Sequence, residues 1–527
     1  MQYLDLNYVL GQGSSGETGY DSPDDILKQM DYLDIDRALV FSAAARDWSG
    51  INANLELLKK LEPYSQRLFP VFVITPRDYY ETGTLECYRE LCAAGKVRAF
   101  RIIPGKSRSP LYECEFVLEA LSEFDIVVQI DTRELTIADY QTLAQLARQF
   151  PSITFVLGQK IWCDQDVLFN LMKRCSNVMA DTSWLHVRNI IELAVKHFGA
   201  ERLLFATGHR AQFGAAIGAL NHARLTPEQR ELIAHGNAER LLHLAPLPRK
   251  LAVPPAILQE KPLWQKLARG EKIENVEIID AHTHQAGPAA SGYLLDDSNI
   301  EQSLPGMIEV MDKLGISRSI VISSKALHAD TLNANREFAE YAQSYRNRIS
   351  GYWSFNPHLL GNITQQTLEQ EFADGFYVGF KILPGYWGLA LDDPGFKPMW
   401  QFAEKHNLPV LIHTWNDVEP LGKVIPDYPA VNFIIAHAGG GAWGREEAIK
   451  LVEKYPNVYL ETCGTFCTDW PLNEVIEKIG TDRFIFGTDA ALHDAAYEMS
   501  ALLSMPIPDA KILPILADNI KKLITFK

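Results

Sequence analysis

The chain of 527 residues repeats itself once, and this repetition limits the folds that it can adopt. Five segments of the first half recur in the same order in the second half, displaced by 278 to 282 positions. The clearest pair is VRAFRIIPG at residues 97–105 and YVGFKILPG at residues 377–385. Together the five matches align Arg101 with Lys381, Asp131 with His413, Gln159 with His437, Gly208 with Asp489 and Asn237 with Asn519. The sequence therefore predicts two copies of one fold in tandem.

In the second copy, short apolar runs alternate with longer amphipathic segments, and we predict that these runs are β-strands. The eight runs are residues 278–283, 318–323, 349–355, 378–383, 410–413, 433–437, 458–461 and 484–487. Eight strands separated by helices over about 250 residues are typical of a TIM barrel. We expect an α/β protein with two tandem (β/α)₈ barrels at residues 1–245 and 276–527. A Pro-rich linker with a short helix is expected at residues 246–275.

Composition narrows the class of protein. Hydrophobic residues make up 47% of the chain and charged residues 22%, which is typical of a folded globular protein. The net charge of -16 disfavours a nucleic-acid partner, and from the lack of a long apolar run or a basic N-terminal region we expect neither a membrane span nor a signal peptide. The seven cysteines are scattered, which favours reduced thiols. We expect a cytoplasmic protein with a small-molecule substrate.

The segment IIDAHTHQAG at residues 278–287 carries the main chemical signal. Alternation along a strand sends His282 and His284 to the same face, where two neutral imidazoles can ligate one divalent metal. Further apolar runs carry His413, His437 and Asp489 at their C-terminal ends. Nitrogen and oxygen ligands from several strand ends, with no cysteine, favour a catalytic rather than a structural metal site.

The phrases IDAHTH, GFKILP, AHAGG and FGTD, in this order, resemble the amidohydrolase superfamily. The similarity covers residues 276–527 and is greatest to the branch that contains metal-dependent decarboxylases of aromatic and muconate-type acids together with lactone and amide hydrolases. The resemblance implies one divalent metal per chain, with Zn²⁺ expected first and Mn²⁺ or Fe²⁺ as alternatives. It implies that the metal is held by His282, His284, His413 and Asp489.

The same resemblance assigns the catalytic roles. Asp489 would accept a proton from the attacking water, and His437 would position that water, polarise a carbonyl or protonate a leaving group. For Lys381, three roles remain open: binding a substrate carboxylate, a structural ion pair, and a carbamylated lysine that bridges two metals. Arg101 at the matching position favours a charge role, because arginine cannot form that bridge.

The first copy lacks these residues. At its first strand Asn7 and Val9 stand for His282 and His284, and Asp131, Gln159 and Gly208 replace the other three site residues. We therefore predict a catalytically inactive barrel that pairs with the second barrel inside the chain, with a homo-oligomer as a further alternative.

Three functions remain open from the sequence. The first is a metal-dependent hydrolase acting on a C–N or C–O bond, as in an amide or a lactone. The second is a non-oxidative decarboxylase that uses the same metal site on a small carboxylic acid, with an aromatic acid as one alternative. The third is a non-catalytic binding or scaffold protein. Several loop residues that follow strands are candidates for the pocket wall, with ordinary packing or solvation as the alternative: Lys325, His328, Trp353, His358, Tyr386, Trp387, Trp415, Trp443, Trp470 and His493.

Overall fold

The computed structural model describes residues 1–14, 19–107, 110–132, 135–158, 165–183, 185–208, 210–285, 300–464 and 472–526. Its contacts divide the chain into two compact units, one from Met1 to Leu258 and one that begins at Gln259. Each unit contains one eight-stranded sheet in which every strand pairs in parallel with its neighbour in the sequence. Among the described residues, no helix combines the length and apolarity needed to cross a bilayer.

The strands of the first unit, β1–β8, are Leu4–Leu10, Arg37–Ser42, Leu68–Val73, Ala99–Ile102, Val127–Asp131, Thr154–Gly158, Val178–Asp181 and Leu203–Leu204. The strands of the second unit, β9–β16, are Ile279–Gln285, Arg318–Ser323, Ile349–Ser354, Tyr377–Ile382, Pro409–Ile412, Asn432–Ile435, Val458–Glu461 and Phe484–Ile485. The strands predicted for the second copy agree with β9–β16 to within two residues at each end. The prediction of two tandem (β/α)₈ barrels is confirmed.

Helices follow the strands in both units. The α-helices of the first unit are Pro23–Tyr32, Ala43–Asp47, Gly50–Leu61, Thr84–Ala93, Pro104–Ser107, Glu115–Leu121, Ile137–Gln149, Gln165–Arg174, Ile190–Phe198, Ala215–His222, Pro227–Glu231 and Asn237–Leu241. Those of the second unit are Pro262–Ala268, Ile300–Leu314, Ser324–His328, Thr331–Tyr341, Pro357–Leu360, Gln365–Phe372, Pro384–Trp387, Lys397–His406, Leu421–Val424, Ala442–Lys454, Leu472–Ile479, Ala495–Leu503, Asp509–Leu513 and Asn519–Lys521. Helices between successive parallel strands are the connections that a barrel requires.

Each barrel is closed by the segment that follows its last strand. In the first barrel the Leu6 N–H donates to the Phe205 carbonyl at 3.1 Å, and in the second the Ala281 N–H donates to the Phe486 carbonyl at 2.9 Å. A buried carboxylate on the first strand adds side-chain bonds at this seam. Asp5 accepts from the Thr207 hydroxyl, and Asp280 accepts in the same way from Thr488, both at 2.5 Å. The two copies therefore share the closing contact as well as the order of their strands.

The Pro-rich segment between the barrels is divided between the two units. The Leu251 N–H donates to Asp36 of the first unit at 2.6 Å. The helix Pro262–Ala268 belongs to the second unit, where the buried Lys261 ammonium lies 2.8 Å from Asp509. Much of the segment thus packs against one barrel or the other.

Candidate metal centre

The predicted site residues all lie at the C-terminal ends of strands in the second barrel. His282 and His284 are in the second half of β9, and Lys381 is the penultimate residue of β12. The others follow their strands by a few residues: His413 comes after β13, His437 after β14 and Asp489 after β16. Parallel strands in a barrel bring these ends to one face, so residues far apart in the sequence become neighbours.

Three of the predicted ligands converge on one point. The Nε2 atoms of His282 and His284 are 3.3 Å apart, and Oδ1 of Asp489 lies 3.5 Å from the first and 3.0 Å from the second. Two ligands that are each about 2.0–2.2 Å from one tetrahedral ion are about 3.3–3.6 Å apart. No described residue donates a well-directed hydrogen bond to Oδ1 of Asp489, although this atom is buried. The spacing and the orphaned oxygen both fit a shared cation.

His413 lies beside His437 rather than within this trio. Nδ1 of His413 is 3.1 Å from Nε2 of His437, and the rings of His437 and His282 have centroids 5.3 Å apart. The second barrel therefore places four imidazoles and one carboxylate in a single buried cluster. The pair of His413 and His437 meets the trio where the rings of His437 and His282 contact each other.

Burial sets the charge state of the cluster. It lowers the pKa of His282, His284 and His413 below the usual value, and it lowers the pKa of His437 to about 3. The imidazoles are therefore neutral at pH 7, which is the form that binds metals. Burial opposes ionisation of Asp489, but the adjacent imidazoles outweigh it and keep the pKa of that carboxyl well below its usual value. A neutral nitrogen set with one carboxylate suits Zn²⁺, Mn²⁺ or Fe²⁺.

Lys381 lies within the same cluster and is fully buried. Its Nζ donates to Nε2 of His282 at 3.0 Å, and burial lowers its pKa to about 8. The amine thus contacts a predicted ligand directly, and it competes with a cation for the same nitrogen lone pair. Its role in binding substrate stays a prediction.

Two predicted site residues adopt a left-handed backbone that is uncommon outside glycine. The φ angle is 56° at His437 and 57° at Asp489. Such conformations cost about 1–3 kcal/mol each and persist only where the surrounding structure enforces them. The turns after β14 and β16 adopt this costly conformation, which directs the two side chains into the cluster.

Sequence reasoning missed an acidic layer behind the imidazoles. Glu461 ends β15 and accepts from Nδ1 of His282 at 3.0 Å, and the Cys463 thiol lies 3.3 Å from Nδ1 of His437. A second buried pair joins His493 to Glu498 at 2.6 Å. The only sequence signal for Glu461 was its position at the end of a predicted strand, because no spaced motif marks a carboxylate that supports a ligand.

The other loop candidates do not share one environment. His493 is the buried partner of Glu498, His358 lies 3.0 Å from the Trp387 carbonyl, and His328 and Trp443 are exposed. Lys325 pairs with Glu337 on the surface, and Trp353 is buried against Phe355 in the core. Aromatic rings border the histidines: Tyr386, which is 63% exposed, has its ring centroid 4.9 Å from that of His413, and Trp415 stacks on His413 at 6.2 Å. Trp470 lies outside the described residues.

In the first barrel, the barrel's own side chains fill the space that corresponds to the predicted metal site of the second barrel. The Arg101 guanidinium donates to Asn7 at 2.7 Å, stands 3.9 Å from Asp131, and lies over the ring of Phe41. At Gly208 a Cβ atom would stand only 1.5 Å from Oε1 of Gln212, so the amide fills the space of a side chain. Gln159, the counterpart of His437, lies outside the described residues.

The amidohydrolase family model matches residues 10–244 and, a second time, residues 279–524. The chain therefore belongs to the amidohydrolase family, as the sequence motifs predicted, and each of its barrels matches that family. Among curated proteins, none matches the chain significantly.

Solved structures similar to this chain each correspond to about half of it. An uncharacterized TIM-barrel protein from Bordetella bronchiseptica is 22% identical, with 47% of this chain and 98% of that chain covered and a TM-score of 0.38. A 5-carboxyvanillate decarboxylase from Sphingomonas paucimobilis is 15% identical, with 48% and 100% covered and a TM-score of 0.37. A probable 2-pyrone-4,6-dicarboxylic acid hydrolase from Acinetobacter baumannii is 18% identical, with 47% and 99% covered and a TM-score of 0.37.

Proposed function

We propose that the second barrel is a metal-dependent hydrolase that cleaves a C–N or C–O bond of a small molecule, such as an amide or a lactone. The observation that carries this proposal is the convergence of His282, His284 and Asp489 within 3.5 Å of one another at the C-terminal end of the barrel. His413 would complete the ligand set. When bound there, a divalent ion supplies Lewis-acid polarisation and lowers the pKa of water toward about 7.

The chain's own residues divide the remaining work. Asp489 is ionised, so its carboxylate can accept a proton from an attacking water. The neutral His437 faces the Cys463 carbonyl through Nδ1 at 3.2 Å, so its lone pair is on Nε2, which lies 3.1 Å from Nδ1 of His413. We propose that this Nε2 atom orients water or a substrate oxygen when it turns from His413 to the bound substrate. Lys381 adds a positive charge beside His282, where it would attract a substrate carboxylate.

The test is turnover by the full chain on a panel of lactones, amides and aromatic carboxylic acids, with release of carbon dioxide monitored throughout. We expect hydrolysis that is lost on chelation and restored by Zn²⁺ or Mn²⁺. Ring opening without carbon dioxide would support a hydrolase. A metal-loaded protein that turns over no member of a broad panel would favour a non-catalytic role.

A decarboxylase that uses the same cluster is the second candidate. Exposed Tyr386 and the Trp415 ring both lie against His413 and could hold a flat ring between them. Release of carbon dioxide from an aromatic acid, in the absence of hydrolysis, would select this reaction.

We also propose that the first barrel is catalytically inactive and that Arg101 serves there as an internal cation. The guanidinium of Arg101 and the carboxylate of Asp131 are almost completely buried and lie 3.9 Å apart, so removal of the guanidinium takes away the positive charge that faces this carboxylate. Breaking a buried pair in this way costs about 3–5 kcal/mol. Arg101→Met should therefore lower the unfolding midpoint while metal content stays unchanged. Arg101→Lys, which keeps the charge, is the control, and loss of metal in Arg101→Met would contradict the proposal.

A further inference from the structure

Glu461 is a fully buried carboxylate that collects hydrogen bonds from the cluster in front of it. Its Oε2 accepts from Nδ1 of His282 at 3.0 Å, from the backbone N–H of His437 at 3.2 Å and from the thiol of Cys463 at 3.1 Å. Its Oε1 accepts from the backbone N–H of Cys463 at 2.5 Å. A buried carboxylate with this many donors is held firmly in place.

These hydrogen bonds select one tautomer for His282 and one for His437. A carboxylate can only accept, so the bond to Glu461 requires that His282 carries its proton on Nδ1. The lone pair of His282 is then on Nε2, the atom that lies 3.3 Å from Nε2 of His284. His437 is fixed in the same sense, because its Nδ1 faces the Cys463 carbonyl at 3.2 Å. Both rings present Nε2 to the cluster.

We propose that Glu461 is a positioning residue that holds His282, and through its backbone His437, in the tautomer and orientation that metal binding needs. The inference rests on the metal site of the proposed function and adds to it a residue outside the ligand set. Carboxylates that hydrogen-bond a ligating histidine in this way fix its ring and raise its basicity.

Packing around Glu461 leaves it little freedom. A Cβ atom at Gly487 would lie 2.5 Å from Oε1 of Glu461 and 2.7 Å from Cβ of His282. The glycine therefore allows the strand end, the carboxylate and the imidazole to approach closely. A larger residue at this position would push Glu461 and His282 apart.

An alternative use of this network is a second metal site. Four of its side chains offer ligand atoms within 4.8 Å of one another: His282, His437, Glu461 and Cys463. The hydrogen bonds argue against that use. Both Nδ1 atoms face acceptors and so carry protons, and two backbone N–H groups point at the carboxylate. A cation at this point would have to displace the protons and face those N–H dipoles. The network is instead satisfied as a support for the ligands.

The first barrel supplies a matched control. Asp181 ends β7 as Glu461 ends β15, and it accepts from Ser183 as Glu461 accepts from Cys463. The residue that matches His282 there is Asn7, so this carboxylate supports no imidazole of that strand. Neutralising Asp181 thus changes a buried carboxylate of the same kind without touching the metal cluster.

The experiment measures Zn²⁺ affinity of the full chain by competition with a chelator, for the wild type, Glu461→Gln and Asp181→Asn. We expect Glu461→Gln to bind Zn²⁺ about 10- to 100-fold more weakly, at an unchanged stoichiometry of about one, and Asp181→Asn to match the wild type. Unchanged affinity in Glu461→Gln would overturn the inference. A fall in stoichiometry from about two to about one would also overturn it, because Glu461 would then be a ligand.

Two further outcomes are separable. A wild-type chain that binds no Zn²⁺ would refute the metal site of the proposed function, whereas a normal wild type with an unaffected variant would refute only the role of Glu461. If Glu461→Gln does not fold, ¹⁵N-histidine spectra of the wild type decide the question. We expect the Nδ1–H tautomer for His282, assigned by its loss in His282→Gln, and the opposite tautomer would overturn the inference.

Discussion

Replacing His282 or Asp489 by alanine is expected to abolish retention of the metal ion, and turnover with it. Each substitution removes one of the three atoms that lie within 3.5 Å of one another. Only two ligands of this trio would then remain beside His413, and we expect that incomplete set to lose the ion to water. Wild-type protein should carry about one transition-metal ion per chain. Elemental analysis after gel filtration measures both values.

The fold should survive both substitutions, because a barrel core of this size does not depend on one ion. Circular dichroism and the unfolding midpoint check this expectation. Val9→Ala, at the position of the first copy that matches His284, is the control and should retain the full metal content. Wild-type protein without metal, even from supplemented medium, would remove the basis of the enzymatic proposal. A metal content near two ions per chain would favour the alternative in which a carbamylated Lys381 bridges two metals.

His437→Asn is expected to retain the metal ion but to lose most of its turnover. His437 lies 3.1 Å from His413 and is not one of the four ligands that the family resemblance implies, which fits a group that acts on water or substrate. General acid–base assistance contributes about 10²–10⁴-fold, so kcat should fall by that factor while KM changes little. Steady-state kinetics on metal-replete protein measures the loss.

Metal content separates the roles of His437. If His437→Asn loses the ion in parallel with its activity, the residue is a ligand. A variant that keeps both the ion and normal kcat would exclude a catalytic role. The matched substitution at His413, as His413→Asn, should instead weaken metal retention, because His413 belongs to the predicted ligand set.

The sequence was sufficient for the architecture, since the spacing of apolar runs fixes strand order in a barrel. Runs such as 318–323 and 458–461 became β10 and β15 with the same bounds. The ends of β14 and β16 were less predictable, because His437 and Asp489 lie in left-handed turns that end the strand pairing early. Periodicity reports which residues are buried in a strand, not where its last hydrogen bond falls.

The sequence also determined which side chains would lie together at the proposed metal site, because strand ends in a parallel barrel meet at one face whatever the helices between them do. The tertiary structure alone decided what supports that cluster. Glu461 reaches His282 across 179 positions of sequence, and the Arg101 guanidinium reaches Asn7 across 94. Neither contact has a local pattern, because a buried charge finds its partner through the three-dimensional packing and not through spacing along the chain. For the same reason, the sequence did not predict that the Gln212 amide occupies the space beside Gly208, because this contact depends on how the segment after β8 folds.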